Sequence, residues 1–257
     1  MSGTDLLDAL TASLPQLGPA VLVTLELTVG GAVFAVVLAI LLGLMARASN
    51  IVVRGIARFI IEFFRGTSLV VQLFWFFFVL PQFDVEWPPM LVGILALGLN
   101  FGAYGAEVVR GSINAVPSGQ WEATTALSLS RFHRMTRVIL PQAWALMIPS
   151  LTNLLIQLLK ATAIVSFITL SDLTHWADKL RISTGNTYFA YGVTLVMYFV
   201  IAYAFTLGMN ALEVHAKHKL GRGESLRDVL RFRKPPTMSD VVDDDAATTG
   251  DGKVNAR

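Results

Sequence analysis

The sequence predicts an all-α integral membrane protein with about five transmembrane helices. Three observations carry this. Of 257 residues, 54% are hydrophobic and only 15% are charged, whereas a soluble domain has about a quarter of its residues charged. Five apolar runs are long enough to span a bilayer core, which takes ~20 helical residues. The Lys and Arg residues are concentrated in alternate loops. The absence of cysteine excludes a disulfide framework and a thiolate metal site. No Lys or Arg precedes Arg47, so a cleaved signal peptide with a basic leading region is not expected.

Taken in order, residues 1–17 place Leu6, Leu7, Leu10 and Leu14 on one face, the pattern of a short external interfacial helix or a frayed start. The transmembrane domain is expected over 18–214, with spans at about 19–46, 60–80, 90–110, 141–170 and 188–212. The first span is apolar apart from Thr24, Glu26 and Thr28. "PQFDVEWPP" (81–89) reads as a turn and 171–187 as a polar connection. Residues 215–257 form a tail, predicted to be disordered from about 235, where apolar residues are few and an acidic triplet occurs. Four Arg lie in 47–65, four in 110–137, and seven Lys or Arg in 215–234. The intervening loops carry only Lys179 and Arg181. The positive-inside rule therefore places the N-terminus outside, and the C-terminus and the loop 117–140 in the cytoplasm.

That loop leads into the segment "WEATTALSLSRFHRMTRVILPQ" (121–142), which is too charged for lipid and too patterned for an idle connection. It reads as two short helices. Ser118 is a candidate N-cap for the first and Ser130 for the second. Glu122 falls in the first turn, where negative charge suits the helix dipole. Phe132, Met135, Val138 and Ile139 recur at helical spacing. An amphipathic helix pair joined to two spans suits docking into a groove on another protein, or lying on the bilayer surface.

Polar residues inside spans are costly and mark pathways or helix contacts. Asn100, Tyr104 and Glu107 form a stripe at i, i+4, i+7, and Asn153, Gln157 and Lys160 form another. Each stripe lines a solute path or bonds to a neighbouring helix. Glu26 and Lys160 are expected at similar depth, either paired or gripping the two ends of a zwitterionic solute. Glu62 and Arg65 read as a structural pair at the entry to the second span. No phosphate-binding loop, catalytic constellation or metal spacing beyond His215-x-x-His218 is present, and the basic 215–234 segment suits anionic lipid rather than nucleic acid.

The segment 122–141 resembles the EAA loop of ABC importer permeases through Glu122, Ala123, Ile139, Leu140 and Pro141. "IEFFRGTSLVVQLFWFFFVLP" (61–81), "AYGAEVVRGSINAVPSGQWEA" (103–123) and "LTNLLIQLLKATAIVSFI" (151–168) resemble segments of the polar amino acid subfamily, and the likeness covers roughly 20–215. The resemblance implies a type I importer permease that works with an ATPase subunit, a second permease subunit and an external binding protein. It implies that Glu122, Ala123, Ser128, Ile139, Leu140 and Pro141 form the ATPase-coupling segment. ATP and Mg would bind the partner ATPase, with no cofactor on this chain and no enzymatic activity of its own. Two residues depart from the pattern. Thr124 replaces the second Ala, and Ser128 replaces the loop Gly, so Ser128 must turn with negative φ or accept strain. The expected solute is a polar amino acid or related zwitterion. The loop 171–188 departs from the commonest amino acid carriers and keeps an ectoine-like solute open. An ATPase-independent secondary transporter or channel is the alternative, and it leaves the helix pair without a role.

Overall fold

In the computed structural model of the chain, residues 3–219 are described. The tail expected to be disordered from about 235 lies outside the described residues. These residues are 88% helical and contain no strand. The helices, in order, are α1 (Gly3–Met45), α2 (Ile51–Gly66), α3 (Leu69–Phe74), α4 (Pro89–Asn114), α5 (Ser118–Ala126), α6 (Arg131–His133), α7 (Leu140–Ala161), α8 (Leu173–Thr184) and α9 (Thr187–Lys219). Four helical stretches are long and apolar enough to cross a membrane: 8–45, 89–114, 131–168 and 187–216. A fifth crossing exists only if a bent helix pair is counted as one span.

α1 and α4 lie so close that side chains are excluded where they cross. A Cβ on Gly43 would come within 2.8 Å of Val109 and 2.9 Å of the Ala106 carbonyl oxygen. A Cβ on Gly102 would meet the Ala35 carbonyl oxygen at 3.2 Å. In lipid, helices gain little from the hydrophobic effect and associate through this kind of small-residue contact. Around it, Leu27, Ala35, Leu97, Phe101 and Leu158 are buried where α1, α4 and α7 meet. Ala39, Val109, Ile113, Ile139 and Met147 are buried towards the end that carries α5.

The separate helix expected over residues 1–17 is not formed, because residues 3–17 continue unbroken into the first span. Pro15 and Pro19 both sit inside α1. An interior proline removes a backbone donor and weakens a helix, and here α8 supports that part of α1. Leu10, Leu17 and Val21 pack against Leu173, Trp176 and Leu180, and the Trp176 indole N–H donates to the Ser13 carbonyl oxygen at 3.2 Å. Leu14, expected on the same face as Leu10, is exposed, at 49%.

α8 occupies the stretch read as a polar connection. Its cues are local: Asp172 caps it by accepting from the His175 N–H at 3.0 Å, and Gly185 ends it with φ 62°. Leu173, Trp176, Ala177 and Leu180 then form its buried face. Asp172 is itself fully buried and also accepts from the Tyr198 hydroxyl of α9 at 3.5 Å. Burial pushes its carboxyl above the usual aspartate range, although the His175 and Thr174 donors oppose this.

The second span, expected as one helix over 60–80, is broken. α2 and the segment Leu69–Phe83 meet at 100°, so the two do not form one straight helix. α3 relaxes into a π turn over Trp75–Val79 and a 3₁₀ turn over Leu80–Phe83. The bend frees carbonyls at the end of α2, and each must find a donor. The Thr67 hydroxyl donates to Phe63 O at 2.8 Å. The Gln72 and Asn100 amides both donate to Phe64 O at 3.0 Å. The Tyr104 hydroxyl donates to Arg65 O at 3.3 Å.

Replacing Gly43 by Ala forces α1 away from the Ala106 carbonyl, and should lower stability by about 1–3 kcal/mol, read as a fall in thermal midpoint in detergent. Asp172→Asn tests burial of the carboxyl. A raised folded-state pKa means that the folded protein holds the proton more tightly than the unfolded chain. Stability from this group is therefore complete below the ordinary aspartate range and is lost as pH rises through the folded-state value. The variant should gain in thermal midpoint over the wild type at neutral pH, and the gain should vanish in acid. An equal difference at every pH would refute that role for burial.

Candidate coupling surface

The loop 117–140 forms two helical pieces joined by a tight turn. α5 runs from Ser118 to Ala126, and α6 passes through a π turn (Arg134–Ile139) into α7. Pro117, not Ser118, occupies the cap position of α5; Ser118 is its first residue and makes no capping bond. Ser130 does cap α6, accepting from the His133 N–H at 3.3 Å. Between them Ser128 has φ 52°. Of the two options open to it, the serine adopts the left-handed turn conformation that the missing glycine would have taken without strain.

The segment presents a buried side and an exposed side. Ile139 is fully buried and Thr124 is 3% exposed. Trp121, Met135, Val138 and Leu140 pack partly buried against the cluster around Ile113 and Met147. Glu122, Ala123, Ser128 and Pro141 are exposed. The apolar face expected from Phe132, Met135, Val138 and Ile139 is therefore split, because Phe132 points away and is 74% exposed. Leu127, beside the turn, is 72% exposed. Two large apolar side chains thus flank the turn, a pattern of anchor residues for a partner groove, and Glu122 is exposed on α5, the helix that leads to Leu127 and the turn.

The connection to the bundle is polar as well as apolar. The Arg47 guanidinium, just past the end of α1, lies 5.7 Å from the Trp121 ring centroid and donates to Asn114 Oδ1 at the end of α4. Burial, and then the nearby Arg110, pull the Arg47 guanidinium below its ordinary value. Gln142 of α7 donates to Gln120 of α5 at 3.1 Å. Sequence reasoning counted Arg47 only as loop charge and assigned no role to Trp121, Leu127 or Asn114. The only advance signal was Trp121 within the quoted family pattern.

The two polar stripes have different fates. Asn100 is 6% exposed and spends its amide on the α2 carbonyl and on Gln72. Tyr104 bonds to Arg65 O, and Glu107 is bound by Arg110. This stripe bonds within the chain. Asn153, Gln157 and Lys160 are exposed, and Lys160 opens into a recess of about 580 Å³ with Tyr198, Tyr203 and Thr206. Glu26 is exposed as well. The expected Glu26–Lys160 pair is not formed, and the three ion pairs among the described residues are local i, i+3 pairs. Leu27 and Leu158 face the α1–α4–α7 core. Lys160 lies about 200° around its helix from Leu158, and Glu26 about 100° from Leu27, so both point out of that core.

Ser128→Gly should relieve the strained turn without disturbing the exposed anchors, giving slower amide exchange across residues 124–133. Ser128→Val, β-branched at positive φ, should speed it by about tenfold or more.

Comparison with known proteins accords with this geometry. Residues 35–217 match the family described as binding-protein-dependent transport system inner membrane component. A probable amino-acid ABC transporter permease of Sinorhizobium fredii is 44% identical over 206 residues, covering 78% of this chain and 87% of the relative. The L-cystine transport system permease of Bacillus subtilis is 32% identical, covering 77% and 86% respectively. The crystal structure of an amino acid ABC transporter with histidines superposes with a TM-score of 0.74 at 34% identity, covering 79% of this chain and 95% of that one. A methionine ABC transporter shares the fold, with a TM-score of 0.68 at 19% identity and coverage of 78% and 96%. The chain therefore belongs to the inner-membrane components of binding-protein-dependent transport systems, as a multi-pass permease subunit of an ABC importer.

Proposed function

We propose that this permease passes a polar amino acid or a related zwitterion across the membrane, together with a second permease subunit, and is driven by a separate ATPase subunit that docks on α5 and α6. The observation that carries the reading is the built docking surface. Leu127, Phe132 and Glu122 are exposed, while Trp121 and Ile139 hold the same segment to the bundle. An exposed apolar pair on a firmly held helix suits insertion into a groove. ATP and Mg bind on the ATPase, and an external binding protein delivers the solute. The distribution of Lys and Arg supports an external N-terminus and a cytoplasmic C-terminus, with α5 and α6 facing the cytoplasm.

The solute class rests on relatives named for amino acids, glutamine and cystine. Neither an ectoine-like solute nor an ATPase-independent transporter draws support from them. Exposed Asn153, Gln157 and Lys160 are the candidate path residues, since their polar groups are not used up within the chain. Asn100, Tyr104 and Glu107 are better explained as supports of the bend and of α4. Glu26, exposed on α1, remains a candidate through its charge alone.

The test is purification of the tagged chain from its native membrane. An ATPase subunit should accompany the wild type and be lost from Glu122→Lys and from Leu127→Asp, both of which alter exposed positions and should leave thermal stability within about 0.5 kcal/mol. An active transporter that purifies without an ATPase would overturn the reading.

A further inference from the structure

The docking segment could be joined to the membrane helices by its flanking loops alone, with its movement partly absorbed there. The structure contains a second connection. Arg47 sits where three elements converge: it follows α1, donates to Asn114 at the end of α4, and lies over the Trp121 ring of α5 at 5.7 Å from its centroid. The guanidinium suits this position because it is planar, permanently charged, and able to stack and donate at once. From there a polar row runs along one side of α4 through Asn114, Arg110, Glu107, Tyr104 and Asn100. Arg110 lies close enough to act on the Arg47 charge and is bonded to Glu107. Tyr104 and Asn100 hold the carbonyls of Arg65 and Phe64 at the 100° bend. Asn114, which accepts the Arg47 bond, and the side chains that hold the bent span thus belong to one helix.

We propose that Arg47 is a positioning residue for energy coupling. It ties α5 to the α1–α4 pair, so that displacement of the docking helix moves α4, and with it the α2–α3 bend, instead of being lost in the connector at residues 115–117. This rests on the reading that an ATPase docks on α5. Apolar packing of Trp121 against the Ile139 cluster and the Gln120–Gln142 bond remain when Arg47 is removed. Docking and coupling are therefore separable.

The experiment uses the complete transporter reconstituted in vesicles, with solute uptake and ATP hydrolysis measured together. Arg47→Ala should keep its ATPase and hydrolyse ATP within about twofold of the wild type, while uptake falls about fivefold or more, the range of a coupling free energy between sites. ATP consumed per solute then rises by the same factor. Arg47→Lys, which keeps the charge but loses the guanidinium's several fixed donors, should fall between. Equal loss of hydrolysis and uptake in an intact complex, or no change in either, would overturn the proposal. Should Arg47→Ala fail to assemble, Asn114→Ala is read in the same way. Loss of assembly there too would make the cluster an assembly element and overturn the coupling role. A wild-type complex with no ATP-driven uptake would instead refute the functional reading above.

Discussion

The rest of the structure depends on the close approach of α1 to α4. Gly43 and Gly102 leave no room for a Cβ beside the Ala106 and Ala35 carbonyls. Two helices in this contact cannot slide without clashing, and in lipid such packing supplies the attraction that the hydrophobic effect supplies in water. The other elements are referred to this pair. α7 adds Leu158 and Met147 to its core, α8 lies along the first turns of α1, and α5 meets both helices through Arg47 and Asn114.

Rigidity of the pair makes the bend between α2 and α3 sustainable. Broken backbone at membrane depth is tolerated only where protein groups satisfy it. Asn100, Tyr104, Gln72 and Thr67 do so for three carbonyls in succession. The polar residues of α4 are therefore consumed by the fold. Those of α7 are not, and Asn153, Gln157 and Lys160 are left facing outward. Two stripes with the same spacing end with different roles because only one of them faces unsatisfied backbone.

The segment from α5 to α6 follows the same division between held and exposed groups. Ile139 and Trp121 anchor it inward, while Leu127 and Phe132 are exposed on either side of the turn that Ser128 makes in a left-handed conformation, and Glu122 is exposed on α5. The guanidinium of Arg47 adds a directional contact to what would otherwise be apolar packing alone.

Much of this protein was legible one segment at a time. Apolar length marked the spans, the Ser130 cap marked the start of α6, and quoted patterns from Glu62 to Ile168 pointed to the permease family. These features are local, and hydrophobic periodicity and capping chemistry express them without reference to the rest of the chain. Pro141, read as the turn into the fourth span, lies instead inside a helix continuous from Arg131 to Ile168. α8 was missed although Asp172 and Gly185 bound it, because charged and polar residues on its open face masked the buried face of Leu173, Trp176 and Leu180. Sequence alone was therefore enough for the long apolar helices and for the permease family. The tertiary structure alone decided that span two bends, that Glu26 and Lys160 point out of the core, that Phe132 is exposed beside a buried Ile139, and that Arg47 bridges α4 and α5. Each of these depends on where a side chain's direction meets another helix, and helical period within one segment does not specify the rotation of its neighbour.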